Sequence, residues 1–160
     1  ALHGMTLVYG GGRLGLMGLI ADAVLDGGGQ VFGVIPHSLV DLEVAHTGLT
    51  ELVIVETMHE RKARMTDLAD AFLALPGGIG TLDELFEAWS WNALGYHAQP
   101  FCLLNVDGFW DGLIEFVDHA TKKGFMSEQR RLQLLVANEP DEALRLLDEA
   151  AASATKGMVW

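Results

Sequence analysis

Short apolar runs alternate with longer amphipathic stretches along this chain, and few architectures accommodate that alternation. Met5 to Tyr9 reads as a buried strand and Leu16 to Leu25 as a helix, which Gly27-Gly28-Gly29 stops. Val31 to Ile35 reads as the next strand, closed by Pro36, and the long loop His37 to Thr47 that follows is a candidate functional segment. The pattern then predicts strand 52–55, helix 58–68, strand 71–75, helix 82–94, strand 101–105 and helix 110–123. A last strand near Leu132 to Val136 precedes a helix from Pro140 to about Ala151, with proline in its first turn. Short apolar strands separated by helices require a parallel sheet covered on both faces. Right-handed crossovers make it an open, doubly wound α/β sheet, which binds ligands beyond the carboxyl ends of its strands. With 160 residues and neither repeat nor linker, residues 1–160 read as one domain.

Composition removes several function classes. Half of the chain is hydrophobic and 20% is charged, which excludes intrinsic disorder. Asp and Glu number 22 against 10 Lys and Arg, a net charge of −12, so no basic face is expected for a nucleic-acid polymer. No apolar run is long enough to span a membrane. The one cysteine, Cys102, stands in apolar surroundings, and Ala1-Leu2-His3-Gly4 leads into the first strand without a secretory pattern. Both features predict a reduced, cytoplasmic protein.

Between Arg13 and Lys122 the only Arg and Lys residues are Arg61, Lys62 and Arg64. In an acidic chain such a cluster is where a small anion is drawn, unless it serves a salt-bridged helix face. Met58, Met65 and Leu68 define the inward stripe of that helix. Arg61 and Lys62 flank the stripe, whereas His59, Glu60 and Arg64 point away. A cation near the core side is costly unless it is paired or bound to an anion.

Two glycine loops follow strands. The first, Tyr9 to Gly18, contains G-x-G-x-x-G at Gly10, Gly12 and Gly15, but the next strand ends Gly33-Val34-Ile35-Pro36-His37 without the acid a dinucleotide fingerprint needs. A nicotinamide dinucleotide is therefore disfavoured, while close backbone approach to a ligand, or a plain tight turn, remains. The second loop, Leu75-Pro76-Gly77-Gly78-Ile79-Gly80-Thr81, enters a helix whose first amides and dipole form a site for a phosphate. No lysine follows the glycines, so a monophosphate fits better than a triphosphate. Thr81 and Glu84 also fit a capping box, with Thr81 as N-cap. On this helix Leu82, Leu85, Phe86 and Trp89 form an apolar stripe, opposite Glu84, Glu87 and Trp91. A Trp on a polar face calls for a ring or a second subunit.

Three segments together resemble one known family. Pro76 to Glu84 is similar to its P-G-G-x-G-T-x-x-E signature, Met58 to Met65 to its M-H-x-R-K-x-x-M helix, and Tyr9 to Gly18 to its Y-G-G-G-x-x-G-L-M-G turn. The family is that of the LOG (lonely guy) cytokinin riboside 5′-monophosphate phosphoribohydrolases, often mislabelled lysine decarboxylases. The resemblance implies a Rossmann-like fold, a homodimer or higher homo-oligomer, and hydrolysis of the N-glycosidic bond of N6-modified AMP to free base and ribose 5-phosphate. It implies Arg61 and Glu84 as the catalytic pair. It further implies substrate contacts from Gly11, Gly12 and Met17, from the loop acid Glu43, from Arg61 and Lys62, and from Gly78, Ile79, Gly80, Thr81, Leu82, Asp83 and Glu84. Ser90 stands where many relatives carry Thr, so a hydroxyl is kept. Family members begin with a further strand, a C-G-S-type turn and a helix. This sequence opens at what resembles the tail of that helix, which implies a fold lacking its first strand–helix unit.

Breaking a ribosyl C1′–N bond develops positive charge on the sugar and negative charge on the purine. That chemistry asks for a carboxylate near C1′ and a firm hold on the 5′-phosphate, and calls for no metal and no cofactor. The alternatives are a general nucleosidase for AMP and other purine monophosphates, or a non-catalytic carrier of a nucleotide or molybdenum cofactor. Lysine decarboxylation is disfavoured because Lys62 lacks a pyridoxal-phosphate context. A zinc protease fails because Ala63 stands where H-E-x-x-H, begun by His59-Glu60, needs its second histidine.

Overall fold

Among the described residues six strands, all paired in parallel, form two three-stranded sheets, each with its strands side by side in chain order. A computed structural model describes residues 4–40 and 45–156, with side chains through 153. The chain divides into two compact units, residues 1–69 and 70–160, and each holds one sheet. Parallel strands joined by helices are the α/β class expected from the sequence.

The first unit contains β1 (Leu7–Tyr9), α1 (Gly15–Asp26), β2 (Val31–Pro36), a 3-10 turn (His37–Leu39), β3 (Glu51–Val55) and α2 (Met58–Leu68). Its buried cluster joins Tyr9 and Val31 of neighbouring strands to Ala21 of α1, with Leu7, Val24, Leu25 and Leu49 packed around them. Helix α1 ends at the three glycines: Gly28 N–H donates to Leu25 and Gly29 N–H to Val24, which satisfies two of its last carbonyls. Helix α2 starts where the sequence reading placed it. The Thr57 hydroxyl accepts from Glu60 N–H at 3.1 Å, and the Glu60 carboxylate accepts from Glu56 N–H at 2.9 Å.

The second unit contains β4 (Phe72–Ala74), α3 (Ile79–Leu94), β5 (Phe101–Leu104), a 3-10 turn (Val106–Gly108), α4 (Asp111–Lys122), α5 (Glu128–Gln133), β6 (Leu134–Ala137) and α6 (Pro140–Lys156). Its central strand shows why the run Phe101-Cys102-Leu103-Leu104 is uninterruptedly apolar. Phe101 and Leu103 face Leu85 and Trp89 of α3 and Val117 of α4, whereas Cys102 and Leu104 face Ala143 and Leu147 of α6. Both faces of that sheet are covered, so neither face of β5 carries polar side chains.

Three local expectations are corrected. Helix α3 starts at Ile79, not Leu82, with Gly78 as its N-cap and no side-chain cap, so Thr81 lies inside the first turn and the capping box does not form. Glycine at the N-cap lets the turn close earlier, and Leu82 N–H already donates to the Gly78 carbonyl at 3.1 Å. Leu132 belongs to the short helix α5 rather than to the last strand and is 76% exposed. The Ser127 hydroxyl caps α5 by accepting from Arg130 N–H, a local signal that outweighs the apolar run after it. Trp91 is half-buried rather than exposed, although it lies off the stripe of Leu85 and Trp89.

Candidate active site

In the first unit the site is built around Arg61. Its guanidinium is buried, 5% exposed, in a chain where most charge is at the surface. Nε donates to the Val34 carbonyl at 3.1 Å and Nη2 to the Gly10 carbonyl at 2.9 Å. These carbonyls belong to β2 and to the residue following β1, so α2 delivers a fixed positive charge to the carboxyl ends of two strands. Burial of a guanidinium is tolerable because several fixed dipoles meet it. Gly10 is required for this: a Cβ at position 10 would overlap Nη2 of Arg61. The first glycine of the loop thus makes room for a protein side chain, where the sequence had suggested either room for a ligand or a plain tight turn.

The neighbours on α2 follow the expected helical pattern except Met58, which was expected on the inward stripe and is 43% exposed at the first position of the helix. Lys62 is half-buried, whereas His59, Glu60 and Arg64 are exposed. Gly11 and Gly12 are both buried and both support the return of the long loop. Gly11 accepts the His46 N–H at 2.9 Å, and Gly12 forms an antiparallel bridge with Ala45. His46 also holds Asp22 of α1 at 2.9 Å. Met17, on the first turn of α1, is 37% exposed. Glu43 lies outside the described residues.

The Tyr9 phenol lies at the same end of β1. It is buried, has no hydrogen-bond partner among the described residues, and is pushed up to about 12 by burial and then by the Asp22 charge. It therefore stays protonated through the physiological range.

In the second unit, β4 runs into the glycine loop and α3. The side chain of Thr81 lies over Gly77, where a Cβ would overlap its hydroxyl. That contact folds the loop back on the first turn of α3. Gly78, Ile79 and Gly80 are exposed, with Ile79 84% so. The first amides of α3 have no carbonyl a turn earlier to bond, and the helix dipole adds positive potential there. Such an end suits one phosphate. Glu84 follows in the second turn and is half-buried, as is Leu82, which packs on the Leu85–Trp89 cluster. Asp83 and Ser90 are exposed.

Each unit therefore brings together part of the expected set. Arg61, Gly11 and Gly12 share the carboxyl ends of the first sheet, and Gly78 through Glu84 share the start of α3. The sequence reading missed Asp22 and His46, which are 24 positions apart and signalled by no motif. Among the described residues, no group of three or more His, Cys, Asp or Glu could hold a metal, and no helix is long and apolar enough to cross a membrane.

Residues 17–147 match a family model described as "Possible lysine decarboxylase". The chain is 49% identical over 158 residues to the cytokinin riboside 5′-monophosphate phosphoribohydrolase LOG of Oryza sativa subsp. japonica, covering 99% of this chain and 65% of that protein. It is 51% identical over 145 residues to LOG2 of Arabidopsis thaliana, covering 91% and 68% of the two chains. It is 48% identical over 141 residues to the cytokinin riboside 5′-monophosphate phosphoribohydrolase of Rhodococcoides fascians, covering 88% and 71%. The chain thus spans about two thirds of the length of these relatives.

Proposed function

The chain belongs to the LOG family, and on that premise we propose that it hydrolyses the N-glycosidic bond of cytokinin riboside 5′-monophosphates. Water adds to C1′ of the ribose, the C1′–N9 bond breaks, and the purine leaves with a proton as the free base beside ribose 5-phosphate. The observation that carries this reading is identity of nearly half over almost the whole chain to a protein named for that activity. The start of α3 supports it from the physical side, because an exposed glycine-rich helix end suits the monophosphate such a substrate carries.

The residue roles follow the motifs. The amides of Gly78, Ile79, Gly80 and Thr81 hold the 5′-phosphate, with Leu82 and Asp83 completing that turn. Glu84, one turn further along α3, serves C1′: its carboxylate opposes the positive charge that develops on the sugar and takes the proton from water. Glycosidases meet the same oxocarbenium-like charge with carboxylates. Arg61 supplies positive charge that orients the substrate, and its two backbone hydrogen bonds prevent it from swinging away. Lys62 is the second cation, Glu43 assists Glu84, and Gly11, Gly12, Met17 and Ser90 complete the contacts.

Assembly into a homodimer or larger homo-oligomer in the cytoplasm completes the proposal. Leu16 and Leu19 of α1, 56% and 66% exposed, support assembly, since large apolar side chains at a surface favour burial against another chain.

The deciding experiment incubates the protein with N6-isopentenyladenosine 5′-monophosphate, with AMP and with the riboside lacking phosphate, and measures free base from each. Release from the N6-modified nucleotide well above the other two is expected. Equal release from AMP would make the protein a general purine-monophosphate nucleosidase. No release from any of them would overturn the enzyme reading.

A further inference from the structure

The imidazole of His46 bonds on both sides, and the two bonds demand opposite roles. Nδ1 accepts the Gly48 N–H at 3.0 Å, so it carries no proton. Nε2, 2.9 Å from the Asp22 carboxylate, therefore carries the proton and donates it. The His46 backbone N–H donates to the Gly11 carbonyl at 2.9 Å, and the preceding residue, Ala45, bridges Gly12. One side chain thus closes its own turn through Gly48, fastens that turn to α1 through Asp22, and presses the backbone at positions 45 and 46 against the first glycine turn. The His46 side chain is 12% exposed and that of Asp22 63%, so the ring is enclosed and its partner reaches it from the surface.

We propose that His46, oriented by Asp22, is a positioning residue for substrate binding. It fixes the segment 45–48 on the Gly11–Gly12 turn and so sets the backbone that meets the nucleotide. The inference rests on the proposed function in one respect, that Gly11 and Gly12 contact the substrate. The anchor itself does not depend on that. Its effect belongs to binding rather than to bond breaking: a loosened turn must be ordered again each time a nucleotide binds, which raises KM and leaves kcat nearly unchanged.

Asp22→Ala is the principal variant, because the side chain is largely exposed and its loss leaves the core of Tyr9, Ala21 and Val31 intact. It is expected to raise KM for the nucleotide about tenfold with kcat within about twofold, the scale of one lost charge-assisted hydrogen bond. His46→Gln keeps a donor for Asp22, and His46→Asn keeps an acceptor for Gly48. Each should recover part of the KM that His46→Ala loses. Two readouts need no turnover. Nitrogen chemical shifts of the ring should report a neutral imidazole protonated on Nε2, and amide hydrogen exchange at Gly48 and His46 should accelerate in Asp22→Ala. An Nδ1-protonated ring, or unchanged amide exchange, would overturn the anchor. Faster exchange with an unchanged KM would leave a purely structural contact and overturn the positioning role. Failure of the wild-type protein to release base would instead count against the proposed function, with the anchor still read from the spectra.

Discussion

The Nη2 of Arg61 donates to the Gly10 carbonyl at 2.9 Å and occupies the space that a side chain at position 10 would fill. A glycine and a cation 51 positions apart are therefore one structural unit. Gly10→Ala should displace the guanidinium, cost about 1–3 kcal/mol of stability as an overpacked site, and depress turnover, as Arg61→Ala is also expected to do. Urea denaturation and base release, measured on the same samples, check both effects. Wild-type turnover in Gly10→Ala would show that the position of Arg61 is immaterial.

Arg61→Lys separates charge from geometry. A lysine keeps the positive charge but has one nitrogen where the guanidinium offers Nε to Val34 and Nη2 to Gly10. One buried carbonyl loses its donor, at about 1–3 kcal/mol. Turnover is expected to fall at least about 100-fold, as for a misplaced catalytic group. A lysine variant with full activity would reduce the role of Arg61 to its charge.

Gly77→Ala tests the phosphate turn. The new methyl would collide with the Thr81 hydroxyl, so either Thr81 turns away or the loop moves off α3. A displaced phosphate anchor should lower kcat/KM by about 10- to 100-fold, with the far-ultraviolet spectrum of the helices unchanged. The matched control is Gly112→Ala in α4, outside the phosphate turn, where a Cβ meets nothing within 4 Å. Equal behaviour of the two variants would remove the Thr81 contact from the account.

Glu84→Gln preserves shape and removes charge. Since Glu84 does not take part in a capping box, its replacement should leave the start of α3 in place. Turnover is expected to fall about 10²–10⁴-fold, the range for a lost general base, with the far-ultraviolet spectrum of the helices retained. Substantial activity in this variant would move the C1′ role to another carboxylate.

Alkaline pH should destabilise the fold. Burial pushes the Cys102 thiol up to about 11, from an ordinary value of 9.0, with the Glu142 charge adding to the effect. Burial and Asp22 push the Tyr9 phenol up to about 12, from 10.0. Between the unfolded and folded values the unfolded chain has released a proton that the folded chain retains. Stability therefore falls as pH rises, from about pH 9 for Cys102 and about pH 10 for Tyr9. The urea midpoint is expected to decline across pH 9–11 and to decline less above pH 10 in Tyr9→Phe. A flat profile would show that neither group stays buried and protonated. Tyr9→Phe should also be nearly neutral at pH 7, because its hydroxyl has no partner among the described residues.

The elements that were legible in advance carry their instructions locally. Helix α2 runs over Met58–Leu68 as its apolar period requires, and the Thr57–Glu60 cap is written in adjacent residues. The continuous apolar run of β5 announced a strand buried on both faces. The helix period alone placed Arg61 and Lys62 toward the inside of α2, because spacing of 3.6 residues per turn assigns a face without knowledge of the neighbours. The two glycine turns and the family also followed from residues standing next to one another.

Other features depend on residues far apart in the chain. That Gly10 yields its space to Arg61, that Val34 accepts the second bond, and that His46 ties Asp22 to the Gly11 turn are meetings across 51, 27 and 24 positions. No local period encodes such pairs. The start of α3 is a local matter by contrast, set within four positions by Thr81 packing over Gly77 and the Gly78 carbonyl accepting from Leu82 N–H, in competition with the cap its sequence displayed. The sequence by itself determined most of the strands and helices, the short helix α5 and the start of α3 excepted. The tertiary structure alone decided which backbone carbonyls hold the buried cation, since a buried charge takes the nearest satisfied geometry and that exists only once the strands are side by side.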